Sequence, residues 1–347
     1  MFANESAPVS TAPGFEVTIG GQKFDQANGG GVQMLVVEDH VDMVAMLTLR
    51  MGGNETQPRW TWKIGDDVTV KIGEGSREFF KGQITSMEPS YQVEGTSSIT
   101  IRALDDTHKL GRGRQTRTFE EKSDSDIVKE VAGEMGLSVQ AEDTGEPTKY
   151  TIQRNESNIA FLKRLAARNN FILRVEDGKL FFGEAQFSGS VYTIKMGDNL
   201  KSMRRSYNTT DMVQKVVVRG WDIMAKEPIV GQATTGDIQA IGGGQLGADK
   251  AGTFGDSTAY ITDVPVTSQA QADKLAKSEM NRLARQYCRG SASIQGNEQV
   301  RAGKVVNFDG LQQGVNGEVF VLSSRHIISE RSGYTTEFSF CATSEGS

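Results

Sequence analysis

The sequence predicts a mainly β chain with a small α+β insert, and three observations predict it. Apolar and polar residues alternate with period two from Phe15 to about Ala103, and β-type runs return after Tyr192. Between residues 119 and 186 a helical period intervenes. Glycine is abundant at 39 residues and proline scarce at 7, which suits tight hairpins more than disordered linkers.

In chain order, Phe15, Val17 and Ile19 alternate with polar residues before Gly20-Gly21 interrupts. Val32 to Val37, Val44 to Leu49, Trp60-Thr61-Trp62, Asp67 to Ile72, Phe79 to Ile84 and Ser98 to Ala103 read as further strands. Such a series points to a barrel or sandwich. Ser123 then offers a helix cap, with Ile127, Val128, Val131, Ala132 and Met135 on one stripe and Gly136 to end it. A second helix is expected from Ser157 to Arg168. A hairpin follows, Phe171 to Val175 and Leu180 to Phe182, around the turn Glu176-Asp177-Gly178.

Beyond Tyr192 a strand is expected from Val213 to Trp221. The Gly-, Gln- and Ala-rich tract Gly231 to Gly255 lacks a period and reads as part of a long exposed loop. Ser268 with Gln271 opens a helix whose apolar face runs through Ala272, Leu275, Ala276, Met280, Leu283, Ala284 and Tyr287. Arg282, Arg285 and Arg289 lie near its end, where cations complement the helix dipole. Lys304 to Ala342 is again β.

Composition narrows the function classes. The 347 residues are 24% charged and 37% apolar, with net charge -6. An acidic balance argues against a dedicated DNA-binding protein. No apolar run approaches the ~20 residues of a bilayer crossing. The start of the chain lacks a secretion signal, so the protein is expected to be made in the bacterial cytoplasm. Cys288 and Cys341 suggest no disulfide framework and are too few for a zinc site. His40, His108 and His326 stand apart from one another, without companions at metal-ligand spacing. Hydrolase, metalloprotease and phosphate-loop motifs are missing. Asp105-Asp106 reads as a strand-end turn, and Gly242-Gly243-Gly244 as loop. Two basic clusters, Lys109 to Arg117 and Lys201 to Arg205, read as solvated faces or docking surfaces for an acidic partner. A salt-sensitive DNA contact through the first is the lesser possibility. Expected catalytic, cofactor-binding and metal residues are therefore none, and no enzyme is expected.

The ordered motifs are more specific. Phe80-Lys81-Gly82-Gln83-Ile84 is followed by Ile99 to Leu110, which includes Asp105. Gln153-Arg154-Asn155-Glu156-Ser157-Asn158 continues through Phe161, Leu162 and Leu165. Asp177 to Phe182, Val217 to Asp222 with Gly220 and Trp221, Arg301 to Val305 with Gly303, and Ser324 to Ile328 with His326 complete the series. Across about residues 15–342 it resembles the late control protein D / VgrG N-terminal family, baseplate hubs of contractile tails. Asn158 stands where that family has aspartate, a change that keeps capping chemistry.

The resemblance implies two hub-type β-barrels per subunit and a trimeric, pseudo-six-fold ring. It divides the chain into a flexible N-terminus (1–14), a first barrel (15–118), an α/β module (119–186) and a second barrel (187–347) carrying a long loop (226–260) and a helix (268–288). It implies a non-enzymatic homotrimer joining the six-fold tail tube, or tube-initiator proteins, to a separate three-fold spike, with baseplate wedge proteins alongside. VgrG chains continue into a needle where this one stops at Ser347, hence the separate spike. No membrane insertion is implied, and DNA or effector cargo would pass the lumen without specific binding. The setting would be the baseplate of a phage, tailocin or other contractile particle. The alternative reading is a cell-wall-active secreted enzyme or effector on a β scaffold.

Overall fold

The computed structural model describes residues 14–25, 31–53, 60–73, 78–176, 178–330 and 333–346. The expected flexible N-terminus through residue 13, and Asp177 of the expected turn, lie outside them.

Seven strands build the first half: β1 (Phe15–Ile19), β2 (Gln22–Asp25), β3 (Val32–His40), β4 (Met46–Gly52), β5 (Asp67–Ile72), β6 (Glu78–Ser90) and β7 (Ser98–Leu104). Alternation puts Val17, Ile19, Leu35, Leu47, Leu49, Val68, Val70 and Ile101 into one core. Trp60-Thr61-Trp62, expected as a strand, is irregular. Trp62 donates its indole N–H to Gln22 (3.2 Å) and meets Phe24 edge-on, so its ring closes the core without joining the ladder.

A 3₁₀ turn (Asp106–Gly111) leads to the α/β module: β8 (Gln115–Lys122), α1 (Asp124–Glu134), β9 (Val139–Ala141), β10 (Thr148–Glu156), α2 (Asn158–Arg168), β11 (Phe171–Glu176) and β12 (Lys179–Glu184). Ser123 and Ser157 cap the helices, accepting from the amides of Asp126 and Ala160. Ile127, Val131, Phe161, Leu162, Leu165 and Phe182 form a second core.

The rest comprises β13 (Tyr192–Lys195), β14 (Leu200–Tyr207), β15 (Lys215–Asp222), β16 (Glu227–Thr234), α3 (Gly247–Ala251), β17 (Thr258–Ile261), α4 (Gln269–Ala284), β18 (Cys288–Gln295), β19 (Val305–Asp309), β20 (Gly317–Ser329) and β21 (Gly333–Ala342). β16, β15 and β17 form a separate three-stranded sheet covered on one face by α4. The long loop expected over 226–260 is thus largely structured. Ile241 is fully buried and Ala248 nearly so, because Ile241 accepts from and donates to the chain's last turns at Thr343 and Ser344.

The two β-rich halves are not two separately paired barrels. One 13-stranded sheet runs through both, and β20 is where they join. Its first residues, Gly317 to Phe320, pair with β19, while Ser323 to Ser329 pair with β3. β21 follows β20 on its other side, and a bulge between Val321 and Ser323 marks the hand-over. The strands β13, β19, β20, β21, β18 and β14 wrap the second-half core of Ile194, Phe308, Phe320, Phe340 and Cys341. Ile328 and Tyr334, at the far end of the same hairpin, belong to the first-half core.

Candidate functional site

Where β20 leaves one core for the other, it places polar side chains at buried positions. Ser324 and His326 lie in phase with Ile328, opposite Asp39 of β3 and Thr336 of β21. The Ser324 hydroxyl donates to Asp39, whose other oxygen takes the Arg301 guanidinium at 2.5 Å. Arg301 also donates to the Phe79 carbonyl (3.0 Å) and lies 4.1 Å over that ring. Phe79 in turn meets His326 edge-on at 4.8 Å.

The carbonyl of Val300 can only accept, so Nε2 of His326 carries the proton and donates to it (3.0 Å). Nδ1 then accepts from the Tyr334 hydroxyl at 2.9 Å. Burial first, then the Arg301 charge, pushes the His326 pKa down to about 3, against the pull of Asp39. Burial works to raise the Asp39 pKa, but the Arg301 charge and the hydrogen bonds that Asp39 accepts from Ser324 and Arg301 hold it below the usual value.

Serine, histidine and aspartate have met, yet not as a nucleophile relay. The carboxylate accepts from the serine and does not touch Nδ1, the imidazole is a poor base at neutral pH, and Ser324 is 2% exposed. The cluster instead pins β3, β6, β20, β21 and the segment before β19 to one another. A buried network with this many partners fixes a single arrangement of its strands.

A second cluster holds the motif around α2. Gln153 is fully buried on β10; its amide donates to Asn158 (2.9 Å) and to the carbonyl of Glu156 (3.0 Å). Its oxygen takes Arg117, which also binds Glu134. Ser157 supplies the cap by itself. Asn158, expected to preserve capping, is the first helical residue and spends its oxygen on Gln153 and Arg117. Glu156 pairs with Arg164, while Phe161, Leu162, Leu165 and Leu110 are core.

The remaining motif residues are dispersed. Phe80 is buried in the first core. Gly82 lies where a Cβ would come within 2.2 Å of the Leu104 carbonyl oxygen. Asp105 caps the 3₁₀ turn and ties it to the Ala45 amide (2.7 Å). Gly303 has φ +79 against Arg174. Gly220 packs on Val266, and Trp221 is 57% exposed at the end of β15. His108 bonds the Asp105 carbonyl group. Of the basic clusters, Lys109 pairs with Asp106, and Arg205 donates to the Val315 carbonyl.

Sequence reasoning passed over Asp39, Arg301, Ser324 and Tyr334 as a unit. The available signal was polar Ser324 and His326 at core phase in an otherwise apolar strand.

A cleft of about 330 Å³ separates the module from the second half, lined by Glu142, Glu184, Arg174, Lys304 and Phe181 among others. Among the described residues no three His, Cys, Asp or Glu side chains gather as a metal site. Both cysteines are buried, and burial raises the Cys341 thiol pKa to about 11. No helix of the described residues is long and apolar enough to cross a membrane.

The profile of the Alg8 N-terminal domain matches residues 14–330. No curated protein matches the chain. Among solved structures, a tail protein from Neisseria meningitidis MC58 superposes with TM-score 0.71 at 15% identity, covering 95% of this chain and 96% of that one. The 43 kDa tail protein of prophage MuSo2 from Shewanella oneidensis gives 0.68 at 20% identity, covering 94% and 97%. The E. coli c3393 protein, described as a type VI secretion component similar to T4 tail proteins gp27 and gp5, gives 0.61 at 11% identity over 90% and 74%. At these identities the likeness is one of fold, and it runs nearly the whole length of the tail proteins.

Proposed function

The chain belongs to the Alg8 N-terminal domain family, and from its tail-protein fold we propose that it is a structural baseplate hub. In this reading three copies form a ring at the end of a phage tail or contractile injection tube. One side receives the tube or its initiator proteins, the other a spike, and wedge proteins dock around the rim. The role is that of an adaptor with no reaction of its own.

The observation that carries the reading is the single sheet with two cores sharing the β20–β21 hairpin. Each subunit thereby offers two β-rich halves in fixed relation, so three subunits would offer six to a six-fold tube. A closed ring needs contacts that return on themselves, which rigid subunits favour. The seam cluster supports the same view, since its serine and histidine are sealed from any substrate.

Native mass measurement of the purified chain, alone and with tube and spike proteins, tests the proposal. The expected species has three times the 37.8 kDa subunit mass and joins both partners. A lasting monomer that binds neither would sink it. Incubation with peptidoglycan should release nothing; turnover abolished by one carboxylate substitution would establish the cell-wall enzyme instead.

A further inference from the structure

The β16–β15–β17 sheet has two unlike faces. Val216, Val218, Ile229 and Ala233 point into the core under α4. Strand alternation turns Lys215, Arg219 and Trp221 of β15 to the other side. Register sets Pro228 and Val230 of β16 and Tyr260 of β17 beside them. Trp221 is 57% and Tyr260 59% exposed, and the adjoining hairpin tip adds Ile223 at 79% and Met224 at 85%.

This face has a definite charge. Lys215 and Arg219 lie on it, and among the described residues of its three strands no carboxylate does. Arg219 stacks 5.0 Å over the Tyr260 ring, and neither cation has an ion-pair partner among the described residues. In a chain of net charge -6 this is a locally cationic, aromatic surface. Arginine, tryptophan, tyrosine and methionine are the residues enriched where protein interfaces concentrate their binding energy.

We propose that this face docks an acidic polypeptide segment of another protein, one that carries an apolar anchor. Carboxylates would meet Arg219 and Lys215, while the anchor would lie on Trp221, Pro228 and Val230. Two cations on a flat strand face make no groove that could track a phosphate backbone, which favours a polypeptide over nucleic acid. The inference needs only this sheet, so it and the hub reading can fail separately.

The test places the photo-crosslinking residue p-benzoylphenylalanine at position 221 or 260 of the full chain in cells producing the particle. Position 254, where Phe254 is 84% exposed at the end of the 3₁₀ turn (Gly252–Phe254) after α3, serves as the control. The expected result is one polypeptide segment linked from both 221 and 260 but not from 254, richer in Asp and Glu than in Lys and Arg. Yield should fall about ten-fold on combining Lys215→Glu with Arg219→Glu, the effect of reversing charges that steer and hold a partner. Yield should survive Arg219→Lys, and an unchanged melting temperature would show that the reversed variant is folded. No adduct, or linkage to a neutral or basic segment, nucleic acid, lipid or a second copy, would overturn the proposal, as would indifference to charge reversal. If the same acidic adduct forms while the chain never enters a particle, the docking face stands and the hub reading falls.

Discussion

Protonation of His326 is a single-residue event that should couple stability to pH. Its folded pKa is about 3 against a usual 6.5, because burial and Arg301 both disfavour the cation. As pH falls below 6.5 the unfolded chain takes up a proton that the folded chain refuses until about pH 3. Stability should therefore rise with pH across that window and level off above it. Asp39, held below its usual value, adds a loss in the same direction at the acid end. Each ten-fold change in proton affinity is worth ~1.4 kcal/mol, so the imidazole effect is on the order of a few kcal/mol. Urea unfolding over this pH range should show a shallower slope for His326→Gln than for the parent. Parallel slopes would mean that the imidazole does not titrate as described. None of this could be read from His326 alone, since its partners Asp39, Val300 and Tyr334 come from three other segments.

Elements were most legible where the signal is local. Ser123, Ser157 and Ser268 announce helices because a cap and an apolar stripe occupy one short window, and the structure starts α1, α2 and α4 directly after them. The cations expected at the end of α4 are there: Arg282 lies in its last turn and also holds Glu279, and Arg285 is its C-cap residue and also holds Asn170. The 226–260 stretch was illegible for the opposite reason. Its glycines read as loop, yet Gly231 lies in β16 because α4 crosses there. A Cβ on Gly231 would come within 2.2 Å of the Ala272 backbone. Gly231→Ala should therefore destabilise by about 1–3 kcal/mol, the usual cost of overpacking. The readouts are a lowered melting temperature and faster amide exchange along α4. An unchanged melting temperature would show that α4 can move aside.

At the scale of the molecule, the sequence showed β-rich ends around an α/β middle but gave no sign of how the ends unite. The β3–β20 pairing joins residues nearly the whole chain apart, such as Met34 with Ser329, and no local pattern encodes a partner at that distance. With the β20–β21 hairpin in both cores, neither half can lose its core without disturbing the other. Trp60 and Trp62 report on the first half once Trp221→Phe removes the third indole. Their fluorescence transition in urea should coincide with loss of far-ultraviolet ellipticity, which reports on all strands. A first-half transition at distinctly lower urea would show that the halves unfold independently.

A strand common to two cores also decides how the subunit answers force. A load drawing the halves apart along β20 would pull parallel to the strand, across the β3 and β21 ladders at once. Bonds loaded in shear share the tension, whereas bonds peeled from one end break in turn. The β20 seam should thus resist being drawn apart along its strand better than being peeled from one end.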